Sequence, residues 1–368
     1  MANQPSIFDE DVSAVLNRLQ TSLEQGLGRA LAPADVEMLI LNFFAYETQL
    51  LRITANQAFR QNLIDFATAS MLDFLAALLG VTRLPAAGAT CTLQFNLVDG
   101  HSVVQLPAGI RVQSVDGLVY FTTVSAVNIQ DSDTSVSVDA ICQTTGSAGN
   151  GYDIGKISVI LDPQAFVSSV SNNAITSGGV DAETDDQLRA RVKLAPASFS
   201  VAGPTEAYEF FAKSAHPSIV DVKCVTTNPG EVTLYPLCTG GTLSSDAIKD
   251  AILAICSSEK VRPQNDTVLV ADPTIVEYSI DVSIVQFTGA ITADLQTQIE
   301  TALNAFVQTN QNKLGVDIIR AQINAKCVVD GQTYNVTVNQ PVADIVADES
   351  TYTKCTGISV TITGSNDG

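Results

Sequence analysis

Hydrophobic positions change their spacing along the chain, and the changes divide it into segments of different secondary structure. Through residues 1–80 they recur every three or four positions, which predicts amphipathic helices. The positions that predict the first helix are Val12, Val15, Leu16, Leu19, Leu23 and Leu27. Pro33 is expected to open a second helix at its first position. A third is expected to carry Leu63 through Leu78 and to end at Gly80.

The second predicted helix is apolar over more of its circumference than one stripe. Its apolar positions are Val36, Leu39, Ile40, Phe43, Phe44, Leu50 and Leu51. A face of this width fits a three-helix core, and it fits an additional partner equally well.

From Cys91 onward the period becomes two, which predicts strands. Cys91, Leu93, Phe95 and Leu97 alternate with polar residues, and turn residues separate this run from later ones. We therefore predict a small antiparallel β sandwich or barrel over residues 86–175.

After residue 175 the pattern mixes helices and strands. A helix is predicted from near Pro204 to Ala215, followed by two strands, a helix capped by Ser244 or Ser245, and a third strand at Val268. This order predicts a split α/β unit over residues 176–271.

Residues 272–368 repeat this theme loosely. Strands are predicted at Tyr278, Tyr334 and Ile358, a helix at Leu295–Phe306, and a short helix capped by Asp317. The last four residues, Ser365–Gly368, are expected to be frayed. The predicted class is α+β multidomain, with a helical N-terminal segment (1–80), the β domain and two α/β units.

Composition narrows the possible partners. The chain has 19 basic and 39 acidic residues, a net charge of −20. Nucleic acid and anionic membrane surfaces need clustered Lys and Arg, so neither is predicted as a partner. No apolar run is long enough for membrane insertion, and Met1–Glu10 does not resemble a signal peptide. The seven cysteines show no Cys-x-x-Cys spacing, which fits a reducing cytoplasm without a zinc site.

Candidate catalytic chemistry is sparse. The two histidines, His101 and His216, lie in different predicted domains. The sequence marks no partner residues that would complete a catalytic triad or a metal site with either of them. Four carboxylates, at Asp181, Glu183, Asp185 and Asp186, are dense enough to suggest a metal site or an acid/base pair. Helix capping, the helix dipole and an Arg partner explain them better. We therefore predict no catalytic residue, no metal and no cofactor.

The residues Thr176–Val192, here called the signature segment, predict a glycine turn that leads into a helix. Thr184 is placed as the N-cap, and Gln187 completes a capping box. Asp185 and Asp186 follow in the first turn, and Leu188 and Val192 form the buried stripe.

The signature segment also resembles the Gly-Gly-x-Asp-x-Glu-[Ser/Thr]-Asp-x-x-Leu-Arg-x-Arg string of the baseplate J-like family, wedge proteins of contractile phage tails. The matching residues are Gly178, Gly179, Asp181, Glu183, Thr184, Asp185, Leu188, Arg189 and Arg191. The turns Leu106-Pro-Ala-Gly109 and Gly146-Ser-Ala-Gly-Asn150 also resemble the family. In that family the string joins a β-rich domain to an α/β domain.

The resemblance implies a non-enzymatic, structural role in the virion tail baseplate, assembled in the host bacterial cytoplasm. The implied partners are other copies of the chain in a ring, a fibre-attachment wedge protein, a small sheath-initiating wedge protein, and the hub and spike. The N-terminal helices would join a bundle with a wedge partner, and the C-terminal domains would pair between copies. Rearrangement on tail contraction would occur at these interfaces.

Two other classes of function compete with this interpretation. A glycan or cell-wall hydrolase could use the acidic cluster, but the chain has no Trp and only 6% aromatic residues to line a sugar groove. A receptor-binding tail protein would be expected to show long repeats, and the sequence shows none.

Overall fold

The computed structural model describes residues 4–200 and 202–367 and confirms the predicted α+β multidomain class. The chain forms two compact units. The first contains Met1–Thr82 together with Leu188–Val192, and the second contains Arg83–Gln187 together with Lys193–Gly368. Within the described residues, no helix is both long and apolar enough to cross a bilayer.

The first unit is helical, with α1 at Val12–Leu27, α2 at Val36–Arg60 and α3 at Ala69–Ala77. Leu16, Leu19 and Leu23 of α1 pack against a small core of Leu31, Met38 and Leu41. These apolar side chains are what hold the first two helices together.

Two predicted helix bounds in this unit are wrong. Pro33 does not open α2. The Asp35 side chain accepts the Ala32 N–H at 3.0 Å, and the helix therefore begins only at Val36. Leu63 lies outside α3, in a turn where its carbonyl accepts the Phe66 and Ala67 N–H groups.

A buried amide fastens the N-terminal segment to α2. Asn56 is fully buried, and its Oδ1 accepts the N–H groups of Ile7 and Phe8 at 2.9 and 3.0 Å. Its Nδ2 donates to the Phe8 carbonyl and to Glu10 Oε1, both at 2.8 Å. One side chain thus satisfies four polar groups of a segment without regular structure.

The β domain is a six-stranded, nearly closed antiparallel barrel, which decides between the sandwich and barrel that the sequence left open. Its strands are β1 Gly88–Leu97, β3 Arg111–Ser114, β4 Tyr120–Thr123, β6 Ser135–Thr145, β7 Ile157–Ile160 and β8 Val167–Asn172. They are ordered β7-β3-β4-β6-β1-β8, and β2 (Val104–Leu106) pairs separately with β5 (Val127–Ile129). Leu93, Phe95 and Phe121 are fully buried in the barrel core.

The next part of the chain contains α4 and a second sheet. Its elements are α4 Asp185–Leu194, α5 Thr205–Lys213, β9 Ile219–Asn228, β10 Glu231–Cys238, β11 Thr242–Leu243, α6 Asp246–Cys256 and β12 Thr267–Val270. β10 is central, antiparallel to β9 and β11 and parallel to β12. This confirms the predicted β-β-α-β order and adds the short β11.

The C-terminal part is a three-stranded sheet with two helices. Its elements are β13 Thr274–Phe287, α7 Thr292–Asn310, α8 Arg320–Cys327, β14 Thr333–Gln340 and β15 Thr351–Asn366. β13 is central, antiparallel to β14 and parallel to β15. Ile280, Val282 and Ile284 belong to one core with the buried residues of α7 and α8.

Two predictions for this part are wrong. Asp317 does not cap α8, because its carboxylate accepts the Ala347 N–H at 2.8 Å and the helix begins at Arg320. Ser365 and Asn366 are not frayed, since both are in register with β13. Gly368 lies outside the described residues.

Candidate functional site at the signature segment

The signature segment begins four residues after the end of β8 and runs into α4. Its glycine half lies against the Gly146–Asn150 turn. The Asn150 side-chain amide donates to the Gly179 carbonyl at 2.7 Å and accepts the Gly179 N–H at 2.8 Å. The two stretches that resemble the family therefore bind each other directly.

Gly179 has no room for a side chain in this contact. A Cβ at this position would lie 2.5 Å from the Gly146 carbonyl oxygen and 2.9 Å from Asn150 Oδ1. Asp181 accepts the Ser147 N–H at 3.2 Å, and Gly178 has a φ of 85°, in the left-handed region that favours glycine. Gly179 is thus required by close backbone approach, and Gly178 is favoured by its backbone conformation.

Thr176 anchors the start of the segment. It is 1% exposed, its hydroxyl donates to the Gly149 carbonyl at 2.7 Å, and its Oγ1 accepts the Tyr152 N–H at 2.9 Å. One hydroxyl therefore joins the signature segment to both ends of the Gly149–Tyr152 stretch.

The acidic residues are engaged by an adjacent Arg-Leu pair. Glu183 is 4% exposed, and its carboxylate accepts the Leu84 N–H at 2.9 Å while the Leu84 carbonyl accepts the Glu183 N–H at 3.1 Å. Arg83 donates to the Glu183 carbonyl and to Asp185 Oδ1, both at 2.7 Å. These contacts supply the predicted Arg partner and use the carboxylates as structural acceptors.

The predicted capping box is confirmed at the start of α4. The Gln187 N–H donates to Thr184 Oγ1 at 3.3 Å, and the Thr184 N–H donates back to Gln187 Oε1 at 3.0 Å. The Gln187 amide also donates to the Pro217 carbonyl at 3.3 Å. The cap therefore ties the helix start to the loop that precedes β9.

The part of α4 from Leu188 to Val192 belongs to the first unit. Leu188 and Val192 are fully buried, as their spacing predicts. Arg189 donates from Nε to the Ile64 carbonyl and from Nη2 to the Ala67 carbonyl, both at 2.8 Å. Arg191 is 4% exposed and donates to the Thr82 carbonyl at 2.6 Å.

The two arginines therefore satisfy carbonyls between residues 64 and 82. The sequence places these arginines only among the residues that match the family string and does not reveal these acceptors. No local signal marks them, because the partners lie more than 100 residues away in the chain.

The histidines take part in local contacts. The ring nitrogens of His101 face the carbonyls of Ser102 and Asp133 at 3.0 and 2.8 Å, and these hydrogen bonds raise its pKa. His216 Nδ1 accepts the Ser218 N–H at 3.2 Å, and burial lowers its pKa. In the part of the chain that the structure describes, no group of three or more His, Cys, Asp and Glu could hold a metal ion.

Comparison with known proteins gives one consistent family. Its domain models match in order along the chain: the Baseplate J-like N-terminal domain at residues 34–90, the barrel domain at 92–179, the central domain at 200–272 and the C-terminal domain at 278–361. Baseplate protein J of Escherichia phage P2 is 32% identical over 187 residues, which are 50% of this chain and 61% of the phage protein.

A solved structure is also similar in part. The six-fold symmetrised cryo-EM structure of the anti-feeding prophage baseplate contains a chain that aligns with 94% of this one and 89% of its own length, at 13% identity and a TM-score of 0.46. Because the four domain models follow one another from residue 34 to residue 361, this chain belongs to the Baseplate J-like protein family.

Proposed function

We propose that this chain is a structural wedge subunit of the baseplate of a contractile tail, in a phage or a phage-derived injection particle. Copies of it form a ring around the hub and spike, together with a fibre-attachment wedge protein and a small sheath-initiating wedge protein. The observation that carries this proposal is the ordered match to all four Baseplate J-like domain models. The similarity to baseplate protein J of phage P2 supports the location in a tail baseplate.

The first unit offers a surface suited to a wedge partner. The α2 stripe consists of Leu39, Ile40, Phe43, Phe44, Leu50 and Leu51, with exposed fractions of 62%, 50%, 61%, 56%, 40% and 71%. α1 packs on Met38 and Leu41 and leaves this stripe to solvent. Six large apolar side chains on one helix exceed what a solvated surface usually carries, which supports a helical partner in the assembled wedge.

The proposed mechanism uses interfaces and involves no bond chemistry. The carboxylates that a hydrolase would need are held by peptide N–H groups and by Arg83. Their contacts hold the signature segment in place. Tail contraction would then exchange one set of subunit contacts for another while the domains keep their folds.

The α2 stripe gives the direct test. Full-length protein carrying Phe43→Glu with Leu51→Glu is expected to keep its thermal unfolding midpoint, because both side chains are exposed in the isolated chain. It should fail to co-purify with the small wedge protein and should give no wedges by electron microscopy. Gln57→Glu adds negative charge at another exposed position of α2 and serves as the control. Normal wedges with the double variant would contradict the proposed role of α2.

A second experiment addresses the hydrolase alternative. We expect wild-type protein and the Asp181→Ala, Glu183→Ala double variant to release the same background of fragments from purified peptidoglycan. Turnover by the wild type that disappears in a folded double variant would overturn the structural role.

A further inference from the structure

The linker between α7 and α8, residues 311–319, contacts both the central sheet and the C-terminal sheet. Its Leu314 N–H donates to Asp221 Oδ2 of β9 at 3.0 Å. The next residue, Gly315, donates its N–H to the Thr351 carbonyl of β15 at 2.8 Å. Two consecutive peptide groups of the linker therefore bind two different sheets.

A small apolar cluster lies at the same contact. Leu314 is 3% exposed and packs with Leu237 of β10 and Tyr352 of β15, which are also buried. The Tyr352 hydroxyl lies so close to Gly241, in the turn after β10, that a Cβ at Gly241 would collide with it. The contact between the two sheets is therefore packed and leaves little room for the sheets to slide past each other.

Asp221 is held in the orientation that this contact needs. Its other oxygen, Oδ1, accepts Lys213 Nζ of α5 at 2.9 Å and the Val222 N–H at 3.0 Å. The side chains of Lys213 and Asp221 are only 12% and 15% exposed, so the ion pair is largely shielded from water. Because both of its oxygens are hydrogen-bonded, this carboxylate is a fixed acceptor for the Leu314 N–H.

The covalent connection between the two sheets leaves from the opposite edge of β10. It consists of residues 271–273, between β12 and β13, where Lys249 of α6 forms an ion pair with Asp272 at 2.7 Å and Pro273 is buried. β12 pairs with one edge of β10, and β9, which carries Asp221, pairs with the other. One short connection alone would act as a hinge, whereas a second attachment across β10 prevents rotation about it.

We propose that the α7–α8 linker fastens the C-terminal sheet to the central sheet, so that the two parts reorient as one rigid body when the tail contracts. Asp221 and Leu314 are the positioning residues of this attachment. Reorientation during contraction rests on the proposed function, whereas the attachment itself belongs to the isolated chain and can be measured without a baseplate.

The test measures the distance between two nitroxide labels on the full-length protein by pulsed electron paramagnetic resonance. The labels are attached to Ala254→Cys in α6 and Ala305→Cys in α7, two exposed helical positions, in a Cys355→Ser background. The labelled protein should give a single narrow distance distribution, and a broad one would overturn the proposal. In baseplates assembled from this protein, the distance should be the same before and after contraction. A changed distance there would overturn the rigid-body reorientation and leave the wedge role intact.

Two pairs of variants locate the attachment. Asp221→Ala should lose the narrow peak and should exchange the Leu314 amide about tenfold faster, because its acceptor is gone. Lys213→Met breaks the same ion pair but keeps that acceptor, and it should retain the narrow peak. Leu314→Ala should broaden the distribution, whereas Leu295→Ala, which opens a cavity inside the C-terminal core alone, should not.

A narrow peak that persists in both Asp221→Ala and Leu314→Ala would overturn the proposal. Should these variants fail to fold, the protein without them still decides, because unprotected exchange of the Leu314 amide would show that its bond to Asp221 does not hold the two sheets together.

Discussion

The carboxylate of Glu183 is buried because peptide groups surround it and provide its hydrogen bonds. The Leu84 N–H donates to it at 2.9 Å, and the Glu183 N–H donates to the Leu84 carbonyl at 3.1 Å. Asp185, the first residue of α4, forms an ion pair with Arg83. The dense acidic motif thus takes its role from its neighbours, and a residue type that suggests catalysis in a sequence becomes an anchor in the fold.

The contribution of the Thr184 cap to the stability of the second unit can be measured. Thr184→Ala removes the acceptor for the Gln187 N–H and should destabilise the second unit by about 0.5–2 kcal/mol. The expected change is a decrease of about 1–8 °C in the midpoint of its thermal unfolding, followed by circular dichroism. Thr184→Ser keeps the hydroxyl and is the control. An unchanged midpoint with Thr184→Ala would show that the cap does not contribute.

His101 predicts a pH dependence with a defined sign. Its two hydrogen bonds to carbonyls both require N–H donors, so they favour the protonated ring and raise the pKa above the ordinary 6.5. A raised pKa in the folded state stabilises the barrel below the unfolded pKa. That contribution is lost as pH rises through the folded pKa.

The measurement is the urea midpoint of the barrel in the wild type and in His101→Gln at about pH 6 and about pH 8. The wild type should exceed the variant at the lower pH, and the difference should shrink at the higher pH. NMR titration should also place the pKa of His101 above that of His216, whose burial lowers it. A constant difference between the proteins would contradict the proposed protonation.

At the scale of elements, the sequence predicted those whose patterns are local. Period-two runs located the long barrel strand β1 and the sheet strands β9 and β13, and the three- to four-residue period located α1 and α7. The errors at Pro33 and Asp317 arose where a side chain bonds to a distant or preceding peptide group. Local patterns also could not distinguish a sandwich from a barrel, because closure depends on contacts between the first and last strands of the sheet.

A buried side-chain amide bridges β8 and β7, the two outer strands of the nearly closed barrel sheet, and its contribution can be tested. Asn172 at the end of β8 accepts the Ile157 N–H of β7 at 2.9 Å and donates to the carbonyls of Asp153 and Ala174 at 3.0 and 2.8 Å. Asn172→Ala should destabilise the barrel by about 1–3 kcal/mol for each buried group left unpaired.

In Asn172→Ala, the amides of β7 should be the first to lose protection from hydrogen exchange. Asn173→Ala, at the neighbouring exposed position, should leave exchange unchanged. Protection of β7 equal to that of the wild type in Asn172→Ala would show that the strands hold the seam without the amide.

The chain has a main core in each of its parts, and a further small cluster of Leu237, Leu314 and Tyr352 joins the central sheet to the C-terminal part. The barrel, the central sheet and the C-terminal sheet each bury their own cluster, and the first unit has a smaller one. Unfolding of such a chain is not expected to follow a single two-state transition. Domains that keep separate cores can also change their subunit contacts without losing their folds, as the proposed role in tail contraction requires.

The cysteines report on these cores individually. All seven are free thiols, and six are buried. Cys91 and Cys142 lie in the barrel core, Cys224, Cys238 and Cys256 in the central core, and Cys327 in the C-terminal core. Burial raises the pKa of Cys91, Cys224 and Cys256 to about 12 and that of Cys327 to about 11, which suppresses the reactive thiolate.

Iodoacetamide at about pH 8 should therefore label Cys355, which is half-buried, before any other cysteine of the native protein. With increasing urea, Cys91 and Cys142 should become reactive together, and Cys224 and Cys256 together at a midpoint of their own, because each pair is released by the opening of one core. Mass spectrometry of the labelled peptides measures each midpoint, and Cys355→Ser removes the first site as a control. A single midpoint shared by all six buried cysteines would show that the cores unfold as one cooperative unit.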